Sequence, residues 1–163
     1  MNYDAMIEIM GNIEDENVLH DLVEAIKVDI VGFSDQEKIL GAISQVNGTD
    51  TLSFDAPLYD HVTEVCVRYG LPYRLQWSSD DDNIHFTDGA AWKPGFDCEK
   101  TYRLVDGEIG LSRGDLKDAL KGGIEGVQAL LNSLEAAALM DIPQVFSVAP
   151  ELIEKFNSEP PRP

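Results

Sequence analysis

The stretch TLSFDAPLYDHVTEVCVRYGLPYRLQW, residues 51–77, decides the fold. Residues 51–54 alternate apolar and polar and read as a short strand. Asp55, Ala56 and Pro57 open a helix, with Pro57 in the first turn, where its missing N–H is no loss. Leu58, Val62, Val65 and Tyr69 recur at helical spacing, and Gly70 stops the run. Alternation returns over 72–78, with Tyr73, Leu75 and Trp77 to one side and Arg74, Gln76 and Ser78 to the other. Strand, helix and strand in so short a run define a mixed domain and admit a parallel crossover.

Downstream, the polar turn SDDDN (79–83) leads into Ile84 and Phe86. Residues 100–112 predict a hairpin turned at Asp106-Gly107, a pair suited to positive φ at both positions. Tyr102, Leu104, Ile109 and Leu111 then share a face. Ser112 caps a helix, aided by Asp115 three residues on. Gly122 and Gly123 interrupt it. A helix over 124–140 carries Val127, Leu130, Leu131, Leu134 and Leu139 and ends before Pro143. Residues 150–156 predict a last short helix.

Upstream, Tyr3, Ile7 and Met10 at helical spacing, with Gly11 as a stop, predict a helix over 3–10. Glu14, Asp15 and Glu16 suit the positive end of a second helix. Val18, Leu19, Leu22, Val23, Ile26 and Ile30 form its apolar face. Ser34 and Glu37 form a capping box for a third helix. That helix buries Ile39, Leu40, Ile43 and Val46, and NGTD (47–50) ends it. The expected fold is α+β: a helical N-terminal section, a mostly antiparallel sheet of four or five strands, and C-terminal helices packed on the sheet. One domain spans 1–157, with an acidic helical lead at 1–50 and sheet plus helices at 51–157. The softest joint is 47–50, and 158–163 reads as a disordered tail.

Charge sets the functional classes. The chain has 30 Asp and Glu against 12 Lys and Arg, a net of -18 over 163 residues. Residues 1–70 alone hold 14 acids and 3 bases. Gripping a phosphate backbone needs a basic face, so direct nucleic-acid binding is excluded as an expectation. An anionic membrane surface is disfavoured for the same reason, and no run is apolar and long enough to span a bilayer. The start MNYDAMIEIMGN has no basic region and does not read as a secretory signal. With only Cys66 and Cys98, free thiols in a reducing cytoplasm are expected rather than a disulfide framework.

No catalytic or cofactor motif emerges. His20, His61 and His85 do not fall in a CxxC, HExxH or HxH pattern, so no metal centre is assigned to His61, Cys66, His85 and Cys98. Asp60 and Glu64 share a helical face, as solvated carboxylates often do. The run Asp80, Asp81, Asp82 and Asn83 lacks the spacing of a calcium loop. LKGGIEG lacks the GK[ST] of a phosphate loop, and no GxSxG turn is present. The helix pair 14–30 and 35–46 has the outline of a helix-turn-helix, but its second helix carries only Lys38 beside Asp35 and Glu37, so plain packing is the better account.

The stretches CVRYGLPYRLQWSSDDDNIHFTDGAAWKPG (66–95) and TYRLVDGEIGLSRGDL (101–116) resemble a pattern in small uncharacterised acidic proteins of bacteria, phages and plasmids. There a helix ends in a turn like Gly70-Leu71-Pro72-Tyr73, an acidic hairpin follows, and a strand closes near a Pro-Gly such as Pro94-Gly95. The resemblance covers about residues 57–120. It implies a small α+β sheet domain and an accessory protein of a phage, plasmid or bacterial host, and it transfers no functional residue.

The resulting expectation is a non-enzymatic cytoplasmic protein that binds a protein partner with a basic patch, in its narrower form a nucleic-acid mimic. Glu16, Asp21, Glu24 and Asp35 form the expected contact surface, because the apolar stripe turns them to water. Trp92 and Phe96, flanking Lys93, Pro94 and Gly95, are the second place for a partner, as aromatic anchors. The alternative is a small-molecule enzyme or ligand binder with a pocket between sheet and helices. A homo-oligomeric module is a third reading.

Overall fold

The computed structural model describes residues 5–81 and 84–158, and of 78–81 and 84–86 only the backbone. Tyr3, the Asp82-Asn83 apex of the acidic turn and the tail 159–163 therefore lie outside the described residues. In chain order the elements are β1 (Ala5–Ile9), β2 (Gly11–Ile13), α1 (Glu16–Asp29), α2 (Gln36–Val46), β3 (Leu52–Ala56), α3 (Asp60–Tyr69), β4 (Tyr73–Asp81), β5 (Ile84–Trp92), β6 (Lys100–Val105), β7 (Glu108–Ile109), α4 (Arg113–Leu120), α5 (Gly123–Ala137), β8 (Phe146–Val148) and α6 (Pro150–Ser158). The fold is α+β. The larger sheet has six strands in the order β3-β1-β4-β5-β6-β7, more than the four or five expected. Two compact units divide the chain: 1–73 with 144–163, and 74–143. No described helix is long and apolar enough to cross a membrane.

In the first unit, the helix expected over 3–10 is the strand β1. Ile7 and Ile9 pair with Phe54 and Leu52 in an antiparallel ladder, and both are fully buried. Over so few residues the apolar spacing fits either period; β-branched isoleucines and an available partner strand favour the extended form. The helix α3 also starts later than expected. Asp55 and Ala56 extend β3, and Pro57 and Leu58 precede the helix, leaving Leu58 64% exposed. Tyr59 holds this boundary. Its hydroxyl donates to the Ala5 carbonyl and accepts from the Ala56 N–H, tying off the end of the β1–β3 ladder. In the strand order β1 stands between β3 and β4, so the strand–helix–strand run makes no adjacent parallel pair.

The two long helices of this unit follow their apolar stripes. Asp15 caps α1 by accepting from the Asn17 N–H at 2.7 Å, and Leu19, Leu22, Val23 and Ile26 are buried. The cap of α2 is Asp35, not Ser34. Asp35 is the last extended residue, and its carboxylate accepts from the Glu37 N–H at 3.0 Å. Residues 47–50 are pinned inside the unit. The Asn47 amide accepts from the Val148 N–H at 2.8 Å and donates to its carbonyl at 2.9 Å, and the Phe146 N–H reaches the Asp50 carbonyl. This holds β8, which pairs parallel with β2. The last helix, α6, runs through Ser158 and packs on α1.

The second unit is a meander of β4 to β7 with α4 and α5. Asp106 and Gly107 turn the β6–β7 hairpin with φ of 50° and 84°, as the pair predicts. Ser112 caps α4, accepting from the Asp115 N–H at 3.0 Å. α5 packs on β5 and β6 but ends at Ala137, short of the expected boundary, and its apolar residues Val127, Leu130, Leu131 and Leu134 stay half-buried. The alternation over 72–78 does not separate buried from exposed faces: neighbouring Tyr73 and Arg74 are both buried, while Trp77 is 37% exposed. The Arg74 guanidinium donates to the Ala138 carbonyl at 3.0 Å.

Candidate acidic interface on the first unit

The groove between α1 and α3 is the most distinctive charged surface of the first unit. Its volume is about 220 Å³, and Asp21, Glu24, Glu64 and Arg68 surround Ala25, Val28 and Val65. Two turns separate Asp21 from Val28 on α1, and one turn separates Glu64 from Arg68 on α3, so the helical repeat places these groups along facing edges. A second depression, about 460 Å³, shares Glu64 and Arg68 and adds Asp60, Thr63 and Val67. Val28 is 65% exposed and Val67 47% exposed, so bare apolar surface lies among the carboxylates.

Arg68 is the one Lys or Arg in this lining, which His61 joins at the start of α3. Its guanidinium donates to Glu64 at 3.0 Å and stands 3.8 Å from Asp21. Asp21 also accepts from the Tyr69 hydroxyl, and that carboxylate holds the Tyr69 phenol above its ordinary range by stabilising the protonated form. The first unit carries 17 acids and 5 bases, a net of -12. Its described bases are already committed. Lys27 bonds Glu24, Lys38 bonds the Gly32 carbonyl, Arg68 bonds Glu64, and Lys155 bonds Glu16.

The expected contact residues do not form one cluster. Asp21 and Glu24 share the groove. Glu16 sits at the start of α1, joined to Lys155 at 2.8 Å, and Asp35 is spent capping α2. Asp60 and Glu64, which the spacing puts on one face of α3, complete the acidic edge. What spacing could not give was the juxtaposition of that face with α1, because the two helices are paired by tertiary packing.

Asp29 is the other residue that pattern reading missed. Its side chain is only 5% exposed and accepts from the Val62 N–H and from His61 Nδ1, both at 2.8 Å. α3 has no side-chain cap from its own N-terminal segment, so the last residue of α1 supplies one. This fixes the entry of α3 against the end of α1, and with it the groove.

Trp92 and Phe96 do not stand out as anchors. Trp92 is the last residue of β5, is 8% exposed, and donates its indole N–H to the Phe96 carbonyl at 3.3 Å. The Phe96 ring is half-buried beneath Lys93 and Lys100, whose ammonium groups lie 5.4 and 5.9 Å from its centroid. The turn folds both aromatics back, as burial of large rings favours. Cys66 and Cys98 are free thiols; burial of Cys66 in the core pushes its thiol up and keeps it protonated. Among the described residues no group of three His, Cys, Asp or Glu side chains converges as a metal site. Comparison with protein-family models, characterised proteins and solved structures finds no match to this chain.

Proposed function

We propose that the protein is a non-enzymatic interaction protein of the cytoplasm that binds a basic, amphipathic segment of a partner protein along the α1–α3 face. One observation carries this reading: Asp21, Glu24, Asp60 and Glu64 frame exposed Val28 and Val67, with Arg68 as the single Lys or Arg in the lining. A Lys- or Arg-bearing helix or strand fits such a surface. Its aliphatic stems cover the valines and its cationic heads meet the carboxylates. The uncompensated charge of the first unit speeds encounter over longer distances. The narrower version is mimicry, in which the partner is a nucleic-acid-binding protein and the carboxylates occupy its phosphate sites. The sequence resemblance supports an accessory role in a bacterium, phage or plasmid.

The test starts from a partner captured from the native host and purified. Glu24, Asp60 and Glu64 are replaced together by Gln, Asn and Gln, a set that spares Asp21, Asp35 and Glu16 and their structural bonds. Association measured by surface plasmon resonance should slow by roughly tenfold at low salt, and the difference should shrink as salt rises. An unchanged association rate in the folded triple variant refutes this site.

A further inference from the structure

A larger cavity lies within the second unit. Its volume is about 570 Å³, inside the roughly 300–1,000 Å³ range of small-molecule sites. Trp77 of β4, Tyr102 of β6, Leu111 of the link before α4 and Leu134 of α5 supply most of its apolar lining. Gly89 faces Tyr102 across the β5–β6 ladder. A Cβ at position 89 would stand 2.2 Å from the Tyr102 ring, so the absence of a side chain lets that ring lie against the strand. Trp77 remains 37% exposed where it lines this space.

The charges of the lining do not cancel. Arg103 and Asp88 face each other in the same ladder and form a two-point pair at 2.6 and 3.2 Å. Asp88 holds the Arg103 pKa up and uses its charge. Asp115 is left over. Its backbone N–H serves the Ser112 cap, and no described side chain pairs with its carboxylate. It stands in the first turn of α4, where the helix dipole favours negative charge. The cavity therefore offers aromatic and aliphatic walls and one uncommitted negative charge. An anion would find Arg103 already paired with Asp88.

We propose that this cavity binds a small organic cation with a flat, apolar body, its ring against Trp77 and its ammonium group toward Asp115. Aromatic faces and a carboxylate together recognise this class, by ring packing, cation–π attraction and ion pairing. The site is independent of the acidic groove and stands whether or not a protein partner binds there.

The probes are 2-phenylethylamine, 2-phenylethanol and phenylacetate, which share a ring and differ in charge. Binding to the full chain is followed by tryptophan fluorescence and by amide chemical shifts, with Trp77→Phe separating the Trp77 signal from that of buried Trp92. The amine should bind about fivefold tighter than the alcohol, the size of a partly exposed ion pair, and the acid weakest. Asp115→Asn should erase the preference for the amine while the alcohol still binds. Trp77→Ala should weaken all three. The Glu24→Gln, Glu64→Gln variant should leave the series unchanged, which separates a local site from general attraction to an acidic protein. Equal binding of the three probes to the wild type overturns the proposal without any variant. So does an amine preference that survives in folded Asp115→Asn, or the lack of saturable amine binding below about 10 mM, a range suited to so small a probe.

Discussion

Asp29 closes α1 in the chain but serves α3 in space. Its carboxylate satisfies the Val62 N–H and orients His61 from a nearly dry position; that N–H is one of the orphan donors of a helix start. Removing Asp29 leaves a buried donor unpaired, which costs more than a lost surface contact. Asp29→Ala should therefore lower stability by about 1–3 kcal/mol in urea titration. His61→Ala should cost less than about 1 kcal/mol, because that ring is 58% exposed. Equal losses in the two variants would assign the effect to the ion pair and not to the cap. No local pattern announces Asp29, whose bonding partners lie more than thirty positions away. By contrast Ser112 is legible as a cap, since it bonds a backbone N–H three residues on, while Asp15, read from its charge as one of three acids at the start of α1, is the cap itself.

At the scale of elements, the glycines separate close approach from mere interruption. Gly126 lies near the start of α5, where an added Cβ would meet the Ala119 carbonyl at 2.2 Å. Backbone cannot yield there as a flexible side chain would, so α4 and α5 must separate. Gly126→Ala should destabilise by roughly 1–3 kcal/mol or more. Gly41 sits in the middle of α2 with open space around it. Gly41→Ala should stabilise by about 0.5–1 kcal/mol, since only helix propensity is at issue. Thermal melts of both variants check the pair, and a matching sign would contradict this packing. The elements themselves show how far pattern carries. The amphipathic stripes of α1 and α2 are long enough to be unambiguous, and the Asp106-Gly107 turn needs nothing outside itself. β1 is too short for its period to decide, and its conformation follows from the ladder it joins with β3.

Over the whole molecule, like-charge repulsion is set against folding. A net charge of -18 is concentrated in the first unit, where 17 acids face 5 bases. Such self-repulsion opposes compaction and is screened within about 10 Å at 0.1 M salt. The melting temperature should rise as sodium chloride increases from about 10 to 200 mM, at fixed pH and protein concentration. A fall would mean that local ion pairs such as Lys155–Glu16 outweigh the net field. Composition and short-range pattern were enough to establish the acidity, the α+β class, the hairpin and most helices, because charge is additive and a helix or turn is specified by neighbours in sequence. They could not decide that Asp21 and Glu24 would face Glu64, that Trp92 would turn inward while Trp77 stayed partly exposed, or that β8 would return to pair with β2. Those outcomes depend on which distant segments exclude water together, and contacts between such segments exist only once the chain has packed.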